Sequence, residues 1–168
     1  MAHQDRAVAG SGHVLPITIT ATGSTDDPTW SCAWPHWDGA TRTFTFDKRH
    51  YQGMKKDDYH LIEFKLDDQT APGGLTFPKD PDDAMWVMAV QAGTKPRCPG
   101  KNDSCNYAIF RPLARLEPTR YLVLNRNPAV EQWTFTLNFV KPGCSETDRD
   151  SFVPFDPIGD NKDAASLA

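Results

Sequence analysis

Apolar and polar side chains alternate along much of this chain, a pattern typical of β-strands whose two faces meet different surroundings. The clearest example is the segment 132–139. Its apolar positions are Trp133, Phe135, Leu137 and Phe139, and its polar positions are Thr134, Thr136 and Asn138. We expect an antiparallel strand with one buried face and one face in water, ended by Pro142 and Gly143.

Several further segments carry strand patterns. They are residues 17–20, 41–46, 59–66, 85–90 and 120–125. The segment 85–90 is almost continuously apolar, which favours a strand buried on both faces, with a short helix as the alternative. Turn residues separate most of these segments, and no spacing suggests alternating strands and helices. The pattern therefore predicts an all-β fold, an antiparallel two-sheet β-sandwich of the immunoglobulin-like or jelly-roll-like kind.

The chain length of 168 residues suits one such domain with short tails. We expect a flexible N-terminal segment at 1–12, a single sandwich domain at 13–159 and a flexible C-terminal tail at 160–168. The proline-rich stretch 93–118 is expected to be a long irregular loop. Four apolar residues near the C-terminus should pack back on the sandwich, as an edge strand. They are Phe152, Val153, Phe155 and Ile158.

The charged residues are interspersed and sum to a formal net charge of −4. No basic stripe is present, so we expect no nucleic-acid partner. No apolar run is long enough to span a bilayer, and the polar residues 1–12 lack a signal-peptide core. These features predict a soluble, cytoplasmic protein. Gly73-Gly74 has no Gly-Lys-Ser/Thr after it, and no metal-ligand spacing occurs, so no cofactor and no metal are expected.

Three tryptophans and a histidine lie close together in residues 30–37. Exposed tryptophan rings can stack on sugar rings or bases because their flat apolar faces match. Trp34, His36 and Trp37 are therefore the predicted ligand-binding residues. The alternative is that the tryptophans mainly fill the core and cap it.

The stretch 93–118 is the second candidate contact surface, because long loops in compact domains are often functional or cover a sheet edge. Its predicted interaction residues are Arg97, Lys101, Asn102, Tyr107 and Phe110.

Cysteines and aspartates leave alternatives open. Cys98 and Cys105 flank a short loop that a disulfide could close, whereas free thiols are expected in a cytoplasmic protein. The aspartates in 80–83 and 156–163 offer oxygen ligands for Ca²⁺. The alternative is that they cap helices and turns, since Asp80 before Pro81 is a good helix start.

The C-terminal third also carries a family resemblance. Its residues are Leu122-Val123-Leu124-Asn125-Arg126-Asn127, then the alternating strand 133–139, then Phe155-Asp156-Pro157-Ile158. This succession is similar to the small bacterial inclusion-body proteins of the PixA/AidA-like kind, and it also resembles the bacterial family called DP-EP. The resemblance implies a bacterial β-sandwich protein with no established reaction.

Taken together, these patterns favour a non-catalytic domain that binds a protein partner or forms a homo-oligomer. A carbohydrate- or small-ligand-binding module using the tryptophan-rich segment is the first alternative. A hydrolase with aspartates from the acidic turns is the second, and it requires a deep pocket that holds at least two titratable residues.

Overall fold

The fold consists of two β-sheets that pack face to face, seen in a computed structural model that describes residues 10–91, 93–103 and 109–162. The strands are β1 (Gly12–Ser24), β2 (Asp27–Ala33), β3 (Trp37–Asp38), β4 (Thr43–Phe46), β5 (Tyr59–Ala71), β6 (Met85–Ala89), β7 (Phe110–Glu117), β8 (Arg120–Asn125), β9 (Glu131–Phe139), β10 (Val153–Phe155) and β11 (Ile158–Asn161). One short helix, α1 (Pro81–Ala84), precedes β6. Single 3-10 turns lie at Lys48–His50, Lys101–Asp103 and Arg149–Ser151.

The first sheet has the strand order β2-β1-β5-β8-β7, and the second has the order β10-β9-β11-β4-β3 with β6 also paired to β9. The predicted β-sandwich is thus confirmed. Two of its strand pairs, β1 with β5 and β4 with β11, are parallel, so the sheets are mixed and not antiparallel throughout. A period-2 pattern reports which way side chains face and carries no information on strand direction.

Alternating apolar residues of both sheets form one aromatic-rich core. From the first sheet it includes Leu15, Ile17, Ile19, Ile62, Phe64, Tyr121 and Val123, and from the second it includes Phe44, Phe46, Trp133, Phe135, Leu137 and Phe139. The inner face of β9 is therefore buried as its sequence predicts.

The outer face of β9 is buried too, and the prediction that it lies in water is wrong. Thr134, Thr136 and Asn138 are at most 5 % exposed. The Thr136 hydroxyl lies 2.9 Å from the Pro99 carbonyl oxygen, and the Asn138 amide donates to the Asp83 carbonyl at 2.8 Å. Polar side chains tolerate such burial when their hydrogen-bonding groups find partners, as those of Thr136 and Asn138 do, whereas the Thr134 hydroxyl has none among the described residues. The segment around Pro99 therefore covers the second sheet.

The stretch 93–118 is irregular only in its first part. Phe110–Glu117 forms the edge strand β7, which corrects the prediction of one long loop. Its pairing with β8 shifts register between Pro112 and Ala114 and again between Arg115 and Glu117. Two such bulges interrupt the alternation by which a strand is recognised in sequence.

Two local predictions around β6 and β10 are confirmed. Asp80 caps helix α1, accepting a hydrogen bond from the Asp82 amide at 2.9 Å, with Pro81 in the first turn. The segment after α1 is a strand, although only its inner face is fully buried. The C-terminal apolar segment packs back on the sandwich, where β10 is an edge strand beside β9.

The ordered structure reaches beyond residues 13–159 at both ends. At the N-terminus, the Ser11 carbonyl accepts a hydrogen bond from the Tyr59 amide at 3.0 Å, and β1 begins at Gly12. At the C-terminus, β11 continues to Asn161, whose side chain is buried. Residues 1–9 and 163–168 of the two predicted tails lie outside the described residues.

Gly159 in β11 lies against phenylalanine rings of the core, which leave no room for a side chain. A Cβ atom at this position would lie 3.0 Å from Cε1 of Phe135 and 3.4 Å from Phe46. We predict that Gly159→Ala lowers the free energy of unfolding by about 1–3 kcal/mol, because the core cannot take an extra methyl group without strain.

Gly39→Ala is the matched control, since the nearest atom to its added Cβ lies 3.5 Å away and the site is exposed. Chemical denaturation should place this control within about 0.5 kcal/mol of the wild-type protein. Equal stabilities for the two variants would contradict the close approach at Gly159.

Candidate functional site

Three half-buried tryptophans close one open side of the sandwich. Trp30 lies on β2 and stacks on Phe139 and Phe155 of the second sheet, with ring centroids 5.0 and 5.2 Å apart. Trp37 in β3 lies 4.4 Å from the ring of Phe44 and 6.0 Å from that of Phe155. We call this surface, formed by Trp30, Cys32, Trp34 and Trp37, the Trp-lined side.

The predicted ligand-binding residues are only partly brought together. Trp34 and His36 are in edge-to-face contact at 5.3 Å. Trp34 and Trp37 both contact the ring of Phe44, at 5.9 and 4.4 Å, and Trp37 then extends towards Phe155. Since these indoles pack against core phenylalanines, the alternative that the tryptophans cap the core describes much of their contact.

His36 belongs to a second feature, a polar end of the sandwich that sequence patterns did not indicate. Its imidazole stacks on that of His50 at 4.0 Å. The ring of Tyr51 lies 6.4 Å from His36 and 5.6 Å from His60. Asp47 caps the 3-10 turn that carries His50, accepting a hydrogen bond from the Arg49 amide. We call these five residues, His36, Asp47, His50, Tyr51 and His60, the polar end.

His60 is the least satisfied residue of the polar end. Its side chain is fully buried on β5, and neither ring nitrogen has a hydrogen-bond partner among the described residues. The pKa of His60 is lowered to about 3, mainly by burial and in addition by the nearby Lys48 and His13, while Asp47 acts in the opposite direction. The imidazole is therefore neutral in the folded protein near pH 7.

Further buried polar side chains lie at the same end of the core as His60. Lys48 is buried and donates from Nζ to the Lys56 carbonyl at 2.6 Å, and burial lowers its pKa. Asn125, opposite His60 in register, donates to Asn161 Oδ1 at 2.9 Å. This end of the core is consequently polar, in contrast to the aromatic centre.

The pKa values of three other residues of the polar end are shifted as well. Burial lowers the pKa of His36, as does the neighbouring His50, whereas Asp47 raises it. The side-chain hydrogen bond from Arg49 is the largest effect on Asp47 and holds the pKa of its carboxyl below the usual value. Burial raises the pKa of the Tyr51 hydroxyl more than the Trp34 side chain lowers it.

The predicted interaction loop is largely tied to the domain. Arg97 donates to both carboxylate oxygens of Asp103, at 3.0 and 2.9 Å. Lys101 Nζ lies 3.1 Å from the buried Asp83 carboxylate. Asn102 is exposed.

Phe110, another of the predicted loop residues, does not contribute to such a surface. Phe110 is fully buried in the core, at 5.6 Å from the Trp133 ring, so a folded chain cannot present it to a partner and this prediction is corrected. Its position at the start of a bulged strand explains why the sequence placed it in a loop. Tyr107 lies outside the described residues.

Cys98 is a free thiol at the mouth of a small cavity of about 120 Å³. Burial and a hydrogen bond with Asp156 raise the pKa of Cys98 to about 11. Asp156 Oδ1 lies 2.6 Å from the Thr136 hydroxyl, so the carboxylate joins the loop to β9. Cys105, its partner in the disulfide alternative, lies outside the described residues.

The acidic turns are engaged in local structure. Asp58 accepts hydrogen bonds from the Lys55 and Ser11 amides, which lower its pKa to about 2. Asp83 receives Arg149 Nε at 2.9 Å. Within residues 10–91, 93–103 and 109–162, no group of three or more His, Cys, Asp or Glu side chains is placed to hold a metal ion.

The free edge of β2 borders the Trp-lined side. A two-residue turn joins β1 to β2, with Ser24 paired to Asp27 across it. The closing pair of such a hairpin exchanges hydrogen bonds, and bonded and non-bonded pairs then alternate. Trp30 and Cys32 fall in the non-bonded class, as does Pro28, which has no N–H. The backbone N–H groups of Trp30 and Cys32 therefore point to the free edge.

Comparison with known proteins adds no family assignment: no family model matches the chain, and no curated protein matches it either. Among the described residues, no helix has the length and apolar composition needed to cross a membrane.

The unpartnered His60 predicts an acid-sensitive fold. The imidazole has an ordinary pKa of 6.5 in the unfolded chain and about 3 in the folded protein. The unfolded state thus binds the proton more readily, so the free energy of unfolding falls as pH drops from about 6.5 towards 3, with a limiting slope of about 1.4 kcal/mol per pH unit. Above pH 6.5 this contribution is fully present.

His60→Phe should reduce this acid slope because a phenyl ring binds no proton. The neighbouring rings of Phe46 and Tyr51 form an aromatic environment in which the phenyl ring can pack. Urea denaturation at several pH values measures it. His50→Gln is the control, because it removes an imidazole from the exposed rim of the polar end and leaves the buried His60 ring in place. An unchanged slope in His60→Phe would show that His60 is not the group concerned.

Proposed function

We propose that this protein is a non-catalytic interaction domain that accepts an extended segment of another polypeptide, or of a second copy of itself, along the free edge of β2. The observation that carries this proposal is the position of that edge beside the Trp-lined side. Unpaired backbone groups of an edge strand bind an added strand, and side-chain pockets next to the edge supply specificity.

The edges of the two sheets differ in how well they suit strand addition. In the first sheet, β7 contains Pro112 and two register shifts, features that protect an edge from pairing. In the second sheet, β3 has two residues, β10 has three with Pro154 at its centre, and β6, which pairs only with β9, has five. By contrast, β2 pairs with β1 over seven residues without a register shift. Among the described edges, β2 is therefore the most suitable.

An added strand would also cover apolar surface. The side chains of Trp30 and Cys32 face inwards from β2 and stay partly exposed, because the next position in the first sheet is unfilled. The residues on the other face of β2, Thr29 and Ser31, are exposed and small. A neighbouring strand can thus approach without a clash, and it removes indole surface from water at about 25 cal/mol per Å².

This proposal predicts that blocking the edge abolishes association. Cys32→Pro removes an outward N–H while leaving the bonds between β1 and β2 in place, and Leu116→Pro changes the opposite, already bulged edge of the same sheet. Thermal melting establishes that both variants fold. Light scattering against concentration and capture of polypeptide partners then measure association, which we expect to persist in Leu116→Pro and to fail in Cys32→Pro.

Hydrogen exchange locates the contact in any complex found. Association should slow the exchange of the Trp30 and Cys32 amides. A strict monomer that binds no polypeptide would overturn the proposal, as would a complex that leaves these two amides unprotected.

Ligand binding at Trp34, His36 and Trp37 is the second candidate function. It is favoured by the stack of the half-buried His36 on the exposed His50 and by the buried Tyr51 hydroxyl, which has no hydrogen-bond partner of normal geometry among the described residues. A glycan array with the wild-type protein and Trp37→Ala tests it. Binding that the substitution weakens at least tenfold would support a sugar site, and a blank array would remove this candidate.

A further inference from the structure

Arg42 stands at the open side of the sandwich, between the two sheets. Its backbone has a φ of 54°, and its carbonyl accepts a hydrogen bond from the Ile158 amide at 2.8 Å, which holds it at the start of the paired strands β4 and β11. The guanidinium carbon lies 5.5 Å from the centre of the Phe155 ring. Trp30 stacks on the same ring at 5.2 Å, so the guanidinium and the indole both contact Phe155.

The charge of Arg42 reaches the β2 edge. Burial raises the pKa of the Cys32 thiol to about 12, and the positive charge of Arg42 is the effect that opposes this rise. Arg42 acts in the same direction on Cys98. Its contact with the Phe155 ring, on which Trp30 also stacks, places the guanidinium near the inner face of β2.

Arg42 contrasts with three arginines that are paired with carboxylates. Arg120 is paired with Glu63 at 2.6 Å, Arg149 with Asp83 at 2.9 Å and Arg115 with Glu146 at 3.4 Å. Among the described residues, no carboxylate forms an ion pair with Arg42, and its contact is with the face of Phe155. Its carboxylate-binding capacity is thus available to a partner.

We infer that the segment accepted by β2 carries a carboxylate side chain that pairs with Arg42. This inference rests on the proposed strand addition and specifies its partner as an extended, acidic segment. Covering the Trp-lined side takes the guanidinium partly out of water, and such a charge requires a matching anion to avoid a desolvation cost. Arginine presents a planar fork of donors that fits a carboxylate with two parallel hydrogen bonds.

The two contacts would have different roles. Backbone hydrogen bonds to Trp30 and Cys32 hold any extended segment, whatever its sequence. The ion pair with Arg42 selects the sequence and fixes its register, because a shift by one residue turns the carboxylate to the other face of the sheet. A basic residue at the same place would be repelled.

Matched peptides test the inference. The probes are eight-residue peptides of alternating Thr and Val with one Glu placed at each position in turn, together with the same peptides carrying Gln or Lys. Titration into the ¹⁵N-labelled full chain, followed by the amide shifts of Trp30 and Cys32, gives each dissociation constant. We expect the best Glu peptide to bind at least fivefold more tightly than its Gln counterpart and the Lys peptide to bind most weakly.

Two variants test whether Arg42 causes the preference for the Glu peptide. Arg42→Gln should make the Glu and Gln peptides bind equally, whereas Lys55→Gln removes the same charge from another exposed residue, outside the Trp-lined side, and should leave the preference intact. If all peptides shift the two amides with equal affinity, strand addition stands and the carboxylate inference is overturned. If no peptide shifts these amides at millimolar concentration, both proposals fail.

Discussion

The stack of Trp30 on Phe139 and Phe155 is the contact that fixes the position of the β2 edge on the sandwich. It joins the edge strand of the first sheet to the interior of the second, at distances of 5.0 and 5.2 Å. Because one face of the indole is used in this way, β2 is held rigidly at the side of the sandwich while its outer edge stays unpaired. An edge strand fixed by its own side chains loses little entropy when it pairs with another strand. In the proposed complex, strand binding and core packing therefore share Trp30.

Much of the fold follows from alternation alone, since the inner faces of the strands are apolar wherever a core is needed. The inner residues of β9 show this directly. The same pattern failed on the outer face, because Thr136 is polar and yet buried beneath Pro99, and nothing local to β9 records a covering segment. The parallel pairing of β1 with β5 was likewise beyond prediction, since it joins strands that are distant in sequence.

The candidate site was predictable only in part. Trp34 and His36 were indicated because they lie close together in the sequence, and they are in contact. His50 and His60 join them through tertiary packing, without any spacing that marks a motif. Phe110 was misplaced for the opposite reason, since prolines and bulges around it resemble a loop although its ring fills the core. The polar end is thus the part of the fold that we expect acid to destabilise, while the aromatic centre holds the sheets together.

Amide hydrogen exchange of the free protein, resolved residue by residue along β2, shows directly whether the outer edge of this strand is unpaired. The hairpin register predicts alternation: the Thr29 and Ser31 amides are bonded to β1 and exchange slowly, whereas the Trp30 and Cys32 amides face the free edge and exchange quickly. Fast exchange at both of the latter positions in a folded, monomeric sample is the predicted result. Protection of Trp30 and Cys32 equal to that of Thr29 and Ser31 would show that the edge is already occupied, and would contradict the account.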